Sequence, residues 1–192
     1  GQGTTLLEMW DGRPAEDLRI ALGEHDFSLG CERCDPARWP GGEAHSHARQ
    51  FDRLAGEKRS FPRRMDFVLS NRCNLQCVMC NGDLSSSIRA QREHRPPLPT
   101  VYDDAFFEQL REFLPHLEEA FFLGGEPFLS TEARRVWDLM IELGIDIPVW
   151  VVTNGTQWNE GVAHYLRHLP MGLSVSVDGL RPETTAAIRV GA

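Results

Sequence analysis

Three cysteines in one short stretch, Cys73, Cys77 and Cys80, are the residues of this sequence best suited to bind metal. Thiolates are soft ligands for zinc or iron–sulfur clusters, and three of them in one loop can hold three corners of a cubane. The fourth corner then stays open, which is the feature that separates a reactive metal centre from a structural one. The alternative is a zinc site in which His94 supplies the fourth ligand.

A second group of residues that could bind a ligand consists of Gly124, Gly125, Glu126 and Pro127, which follow a short apolar run. Glycines let a ligand approach the backbone closely, and the proline restrains the outgoing chain. Such a segment alone is more often a turn than a binding site. Its position one predicted strand after the cysteines favours the binding site.

Polar residues also follow the last apolar run of the sequence. Strand alternation places Ser174, Ser176 and Asp178 on one side, so that a polar stripe faces one direction. The pairs Asn154-Gly155 and Asp178-Gly179 are typical of turns. The stripe is therefore a candidate binding surface, and the glycines after it are candidate turn residues.

The elements that must position these residues begin near Arg64, where short apolar runs start to alternate with longer amphipathic stretches. This alternation is typical of parallel strands joined by helices and predicts an α/β fold, and the apolar strands predict cover on both faces. The predicted strands are Met65 to Ser70, Ala120 to Leu123, Val149 to Thr153 and Leu173 to Val177. The predicted helices are Tyr102 to Leu114, Thr131 to Leu143, Asn159 to His168 and one that begins near Pro182.

The first sixty residues differ in character from the rest of the chain. They predict one helix from Pro14 to about Leu22 and a polar helix from about Glu43 to Ala55. A segment below about 40–60 residues usually needs a metal, a disulfide or a partner surface to be stable. Cys31 and Cys34 are candidates for a metal, although two cysteines cannot complete a site by themselves.

From about Arg64 to its end, the sequence resembles the radical S-adenosylmethionine (radical SAM) superfamily. The resemblance rests on the cysteine spacing, with gaps of three and two residues, and on Gly-Gly-Glu-Pro one strand later. It implies a four-iron, four-sulfur cluster on the three cysteines and a partial (β/α)6 barrel with about four βα units. Residues 61–192 would form this core domain, which is expected to be truncated at its carboxyl-terminal end.

The resemblance also implies which residues bind S-adenosylmethionine (SAM). Met79, the residue before the third cysteine, would pack on the adenine through its polarizable thioether. The segment of Gly124, Gly125, Glu126 and Pro127 would bind the methionyl ammonium through carbonyl groups and the carboxylate. Ser176 and Asp178 would bind ribose hydroxyls and the methionine carboxylate.

The activity implied by the resemblance is reductive cleavage of SAM. An electron from a donor such as a ferredoxin or flavodoxin would yield methionine and a 5′-deoxyadenosyl radical, which abstracts hydrogen from a substrate. Peptides and proteins are frequent substrates in the family branch with auxiliary-cluster modules, and a small metabolite is a second candidate substrate. The alternative function is a non-catalytic iron–sulfur or zinc-binding module that acts with a partner chain. No residue that completes the substrate reaction is identified.

The Cys31 and Cys34 pair resembles the end of the auxiliary-cluster modules called SPASM or twitch domains. Residues 1–60 would then be the end of such a module, with an auxiliary iron–sulfur site whose other ligands lie upstream. A structural zinc site with His45 and His47, or a free or redox-active pair, are the alternatives.

Composition excludes other classes of function. The net charge of −8 argues against binding to nucleic acid, and no apolar run reaches the ~20 residues that span a bilayer. The start of the sequence lacks the pattern of a secretory signal, which makes a cytoplasmic location the expectation. Five cysteines in a close pair and a close triplet suit metal ligation in a reducing compartment better than disulfides.

Overall fold

The computed structural model describes residues 3–38, 47–54 and 56–192. The chain divides into two compact units, Gly1–Pro62 and Arg63–Ala192. Among the described residues, no helix is long and apolar enough to cross a membrane.

The first unit contains two short helices, α1 (Leu6–Asp11) and α2 (Arg13–Gly23), followed by 3-10 helices. Helix α2 covers the predicted helix from Pro14 to Leu22, whereas α1 was not predicted. The predicted polar helix is a 3-10 helix, His47–Leu54, over its described part, and residues 43–46 and 55 lie outside the described residues. Ala21 is the one buried apolar side chain identified in the described part of α1 and α2. Polar contacts instead join the segments, for example Lys58 to Asp11 at 2.9 Å.

The second unit is built on a sheet of four parallel strands. In sequence order these are β1 (Arg64–Phe67), β2 (Glu119–Phe122), β3 (Val149–Thr153) and β4 (Met171–Val175), and they neighbour one another in the same order. The carboxyl-terminal ends of all four strands therefore meet at one edge of the sheet, where α/β folds carry their sites. The predicted α/β class, with four parallel strands of an open barrel, is confirmed.

The bounds of β1, β2 and β4 differ from the prediction at both ends, by one residue each in β2 and by up to three residues in β1. Strand β1 stops at Phe67 rather than Ser70, because the backbone after it turns to contact the segment that follows β2. Strand β4 begins at Met171, where pairing with Val149 starts, two residues before the predicted beginning. The predicted limits of β3 are correct.

Five helices join or follow the strands: α3 (Ser86–Gln91), α4 (Asp104–Phe113), α5 (Thr131–Glu142), α6 (Glu160–His168) and α7 (Pro182–Ile188). Helix α5 begins where Ser130 accepts a hydrogen bond from the amide of Ala133, which is an ordinary side-chain N-cap. Its buried residues include Val136, Leu139 and Met140, three of the four that the helical spacing predicts. Helix α3 was not predicted, because six residues are too few for a helical spacing of apolar residues to be recognised.

The core lies on one face of the sheet, where the rings of α5 and α6 meet those of the strands. Trp137 of α5 is fully buried, with ring centroids 5.2 Å from Phe122, 5.3 Å from Phe128 and 5.0 Å from Tyr165. On β3 the side chains alternate, with Val151 buried and Trp150 and Val152 exposed. The prediction that both faces of the strands are covered is therefore wrong for β3. Its second face is open among the described residues.

Replacing Trp137 by alanine should lower the free energy of unfolding by about 3–5 kcal/mol, because it empties a large volume at the centre of the aromatic cluster. Urea denaturation of the chain measures this. The control is Trp158→Ala, since Trp158 is 72% exposed and its loss should cost less than about 0.5 kcal/mol. Equal losses in the two variants would mean that the core is elsewhere.

Candidate functional site

The three cysteines lie in the loop after β1, which is called the cysteine loop (residues 68–81) below. Serines at the start of α3 hold it. Ser86 Oγ accepts from the amide of Cys73 at 3.1 Å, and Ser87 Oγ donates to the carbonyl oxygen of Cys73 at 2.8 Å. Ser85 Oγ caps α3 and donates to the carbonyl oxygen of Leu75 at 2.7 Å. Sequence reasoning missed these serines, although three hydroxyl residues before an apolar one are a helix-start signal.

Each cysteine sulfur has a different environment. Cys77 is buried, and Cys73 and Cys80 are half-buried. The Asn154 side-chain amide lies 3.9 Å from Cys73 Sγ, and Arg189 Nη1 lies 3.8 Å from Cys77 Sγ. The Cys80 thiol points to the carbonyl oxygen of the next residue at 3.7 Å.

The electrostatics of Cys73 favour the protonated thiol when metal is absent. Burial raises the pKa of Cys73 above its ordinary value, and the charges of Glu126 and Cys77 raise it further. Hydrogen bonds from the Leu75 backbone and from Asn154 act in the opposite direction. Metal binding must therefore release a proton from this thiol, because the thiolate is the ligand.

The three cysteines can be compared with the ligands that a four-iron, four-sulfur cluster requires. Among residues 3–38, 47–54 and 56–192, no three Cys, His, Asp or Glu side chains are gathered closely enough to hold a metal ion. The alternative zinc site with His94 is therefore not preformed among these described residues. A cubane differs from a single ion because each thiolate binds a separate iron at its own corner. Three soft donors in one loop, two of them beside N–H groups, have the chemistry that a cluster needs.

The segment after β2, called the glycine loop (residues 123–127) below, packs directly against the cysteine loop. The amide of Gly125 donates to the carbonyl oxygen of Ser70 at 3.2 Å, and the amide of Glu126 donates to that of Arg72 at 2.7 Å. A Cβ on Gly125 would lie 2.7 Å from the carbonyl carbon of Asn71 and closer still to Arg72 O. Gly124 has φ of +111°, a conformation that side chains disfavour. The glycines are needed because two loops, rather than a loop and a ligand, approach closely here.

Glu126 has an unexpected place in this structure. Its side chain is 1% exposed, and its carboxylate accepts three hydrogen bonds from protein groups. Oε1 accepts from the hydroxyl of Thr153 at 2.8 Å and from the amide of Phe128 at 3.2 Å. Oε2 accepts from the amide of Asn154 at 2.7 Å. The carboxylate therefore links the ends of β2 and β3, and it caps the 3-10 helix Pro127–Leu129.

Replacing Glu126 by glutamine should lower the free energy of unfolding by about 1–3 kcal/mol. The amide NH2 cannot accept, so at least one of the buried donors from Thr153, Phe128 or Asn154 loses its partner. Denaturant unfolding measures the loss. Glu112→Gln is the matched control, since Glu112 is an exposed residue of α4, and an equal change in both variants would contradict a buried role for Glu126.

A network of side chains continues from Glu126 to the cysteine loop. The backbone N–H of Asn154 donates to Glu126, and the side-chain amide of Asn154 donates to Asn74 Oδ1 at 3.0 Å. Asn74 in turn donates to Thr156 Oγ1 at 2.9 Å. The sequence predicts Asn154 as a turn residue, which fits its contact with Thr156 two residues later, whereas its partners Glu126, Asn74 and Cys73 lie 28, 80 and 81 residues away. The end of β3 is thereby tied to both other loops.

The remaining predicted site residues lie at the same edge of the sheet. Met79 is 62% exposed on the cysteine loop, and Pro127 is buried. The Ser176 amide donates to the carbonyl oxygen of Thr153 at 2.9 Å, which extends the pairing of β3 and β4. Asp178 forms an ion pair with Arg189 at 2.5 Å. Sequence reasoning did not identify Arg189.

The predicted site of the first unit is only partly described. Cys31 is a half-buried free thiol whose amide donates to the carbonyl oxygen of Phe27 at 3.0 Å. The side chains of Cys34 and His47, and all of His45, lie outside the described residues. The predicted metal site at Cys31 and Cys34 therefore stays a prediction.

Comparisons with known proteins agree with this geometry. A family model described as Radical SAM superfamily matches residues 67–192. No curated protein sequence matches the chain significantly. The chain has the fold of Streptococcus suis SuiB bound to S-adenosylmethionine, with a TM-score of 0.51, 16% identity, and coverage of 95% of this chain and 40% of SuiB.

SuiB bound to the precursor peptide SuiA is similar to the same degree, with a TM-score of 0.51 and 14% identity over 91% of this chain and 39% of SuiB. The chain therefore spans about two fifths of the length of SuiB. The family match extends over well more than half of the chain and includes all three clustered cysteines. This chain belongs to the radical SAM superfamily.

Proposed function

We propose that Cys73, Cys77 and Cys80 hold a four-iron, four-sulfur cluster whose open iron binds SAM, and that the chain is the radical-generating core of an enzyme. When bound, the cluster supplies the electron that cleaves SAM to methionine and a 5′-deoxyadenosyl radical, which abstracts hydrogen from the substrate. Family membership supports this function, because the superfamily is defined by that chemistry.

The observation that carries the proposal is the packing of the glycine loop on the cysteine loop. The amides of Gly125 and Glu126 donate to the carbonyl oxygens of Ser70 and Arg72, which lie three residues and one residue before the first cysteine. This packing brings the backbone of the glycine loop next to the cysteines. An amino acid group bound at the open iron would need acceptors next to the metal, and the carbonyl groups of this loop are candidates for that role.

The family suggests roles for the other residues, and their position at this edge supports those roles. Met79 is exposed and would lie against the adenine, for which a thioether is suited. Carbonyl groups of the glycine loop would accept from the methionyl ammonium. Because Glu126 already accepts three protein hydrogen bonds, it would chiefly hold those carbonyls in place, with at most about one acceptor position left for the ammonium. Ser176 and Asp178 would line the part of the site that holds the ribose and the methionine carboxylate, with Asp178 accepting from ribose hydroxyls and the Ser176 hydroxyl able to donate to the carboxylate.

We further propose that the substrate is a peptide and that the chain belongs to the branch with SPASM or twitch modules. SuiB, which has the same fold over this chain, has been crystallised with a precursor peptide. In this proposal residues 61–192 form the radical SAM core, and residues 1–60, with Cys31 and Cys34, form the end of an auxiliary-cluster module. A ferredoxin or flavodoxin would supply the electron.

The test is to reconstitute the cluster without oxygen, reduce it, add SAM and quantify 5′-deoxyadenosine by chromatography and mass spectrometry. Formation that depends on reductant, iron and SAM is expected. A fully loaded, reducible cluster that yields no 5′-deoxyadenosine would instead support the alternative, a non-catalytic module that acts with a partner chain.

A further inference from the structure

Arg189, just after helix α7, is the one guanidinium that the described hydrogen bonds bring to a cysteine sulfur. Its Nη1 lies 3.8 Å from Sγ of Cys77, the most buried of the three clustered cysteines. Its side chain is 16% exposed, so the charge is largely withdrawn from water. The two residues are 112 positions apart, and neither belongs to a motif that suggests the contact.

Backbone hydrogen bonds hold this contact in register. The amide of Gln76 donates to the carbonyl oxygen of Val190 at 2.8 Å, and the amide of Val78 donates to that of Ile188 at 2.9 Å. These are the residues on either side of Cys77 and of Arg189. Two short segments therefore run side by side with Arg189 opposite Cys77, which makes the approach of the guanidinium a built feature of the backbone.

The same guanidinium also reaches Asp178. Arg189 Nε lies 2.5 Å from Asp178 Oδ2, although its buried N–H is not directed at any acceptor. The contact is thus an ion pair rather than an aligned hydrogen bond. Asp178 follows β4, whereas Cys77 follows β1, so Arg189 bridges the first and the fourth strand ends of the sheet.

We propose that Arg189 is a positioning residue that ties Asp178 to Cys77 and sets the reduction potential of the cluster. This inference rests on the proposed function, because it concerns the cluster that Cys77 would hold. A guanidinium N–H directed at a thiolate sulfur and a positive charge beside it both stabilise the more negative, reduced state. Asp178 offsets part of that charge, so the two side chains act on the potential in opposite directions.

Removing Arg189 and removing the charge of Asp178 should shift the midpoint potential in opposite directions. A purely structural role for Arg189 would not produce shifts of opposite sign. Arg189→Gln removes the charge, and the midpoint potential of the cluster should become more negative. Asp178→Asn leaves the guanidinium charge without its partner, and the midpoint potential should become less negative. At a potential held at the wild-type midpoint, we expect the ratio of reduced to oxidised cluster to change about tenfold in each direction.

The experiment is a redox titration of the reconstituted full chain without SAM, followed by the paramagnetic signal of the reduced cluster. Iron and sulfide content are measured in parallel for every variant. Arg189→Lys keeps the charge, so its midpoint potential should lie between those of the wild type and Arg189→Gln. Arg181→Gln is the matched control, since Arg181 is an exposed residue at the start of α7 whose charge water should screen.

The outcomes separate this inference from the proposed function. A wild-type chain that takes up no cluster would overturn both. A loaded cluster whose potential is unchanged, or moves in the same direction, in Arg189→Gln and Asp178→Asn would overturn only the role of Arg189. If Arg189→Gln cannot hold a cluster, Asp178→Asn decides: a less negative midpoint supports the role, and an unchanged or more negative one overturns it.

Discussion

Replacing Cys77 by alanine should abolish the formation of 5′-deoxyadenosine, with a loss of more than about 100-fold. Loss of an outer-shell partner of a metal ligand already costs roughly 10–100-fold, and Cys77 is proposed as a ligand itself. Its sulfur is buried beside Arg189, and the described residues contain no other group of metal-binding side chains that could take its place. The measurement is 5′-deoxyadenosine per chain under reducing, oxygen-free conditions, with iron content determined on the same samples.

Val78→Ala is the control for this variant. Val78 is the next residue in the cysteine loop, and its side chain is exposed, so its truncation should leave both cluster content and product formation near the wild-type values. Turnover that persists in Cys77→Ala would move the radical-generating centre away from these cysteines. A loss of equal size in Val78→Ala would show that the loop tolerates no change at all.

Replacing Gly125 by alanine should reduce cluster content by about 10–100-fold at limiting iron. The new methyl group would collide with backbone atoms of Asn71 and Arg72, which cannot rotate away as a flexible side chain can. The two loops must then separate, which displaces the loop that carries the cysteines. The strain should also cost about 1–3 kcal/mol in the free energy of unfolding.

The matched control for Gly125→Ala is Gly23→Ala. A Cβ at Gly23 would meet no atom within 4 Å, and this glycine ends helix α2 in the first unit. Alanine there should leave iron content unchanged. If Gly125→Ala loads as much cluster as the wild type, the packing of the glycine loop does not determine the position of the cysteines.

The parts of the fold that sequence reasoning predicted are those with a strong local signal. Strand β3 has the predicted bounds, because its β-branched and aromatic run ends at a turn residue. Helix α5 begins at the predicted residue, since Ser130 caps it and its apolar residues recur at helical spacing. The parallel direction of the strands followed from the alternation of strands and helices.

The contacts that make the site could not be predicted in the same way. The sequence predicts that Glu126 is a ligand-binding carboxylate, yet its oxygens accept hydrogen bonds from Thr153, Asn154 and Phe128. The first two of these partners lie 27 and 28 residues away and meet Glu126 only because β2 and β3 pair. Burial and long-range pairing, which decide such contacts, leave no local pattern.

The contact between Arg189 and Cys77 spans the largest sequence separation of these contacts, 112 residues, and leaves no local sequence pattern. It depends on helix α7 returning the chain from the last strand to the loop after the first. The motifs therefore identify the cysteines, whereas their surroundings come from the topology. The same edge of the sheet brings Cys73, Asn154 and Glu126 into one linked set of contacts, and Cys77, Arg189 and Asp178 into another.

The most direct test of the account is the paramagnetic spectrum of the reconstituted, reduced chain recorded with and without SAM. An open iron that binds SAM changes its ligand field, so the spectrum should shift when SAM is added, and the shift should saturate at one SAM per cluster. A chain that carries a full complement of cluster, whose reduced spectrum is the same at every concentration of SAM, would contradict the account.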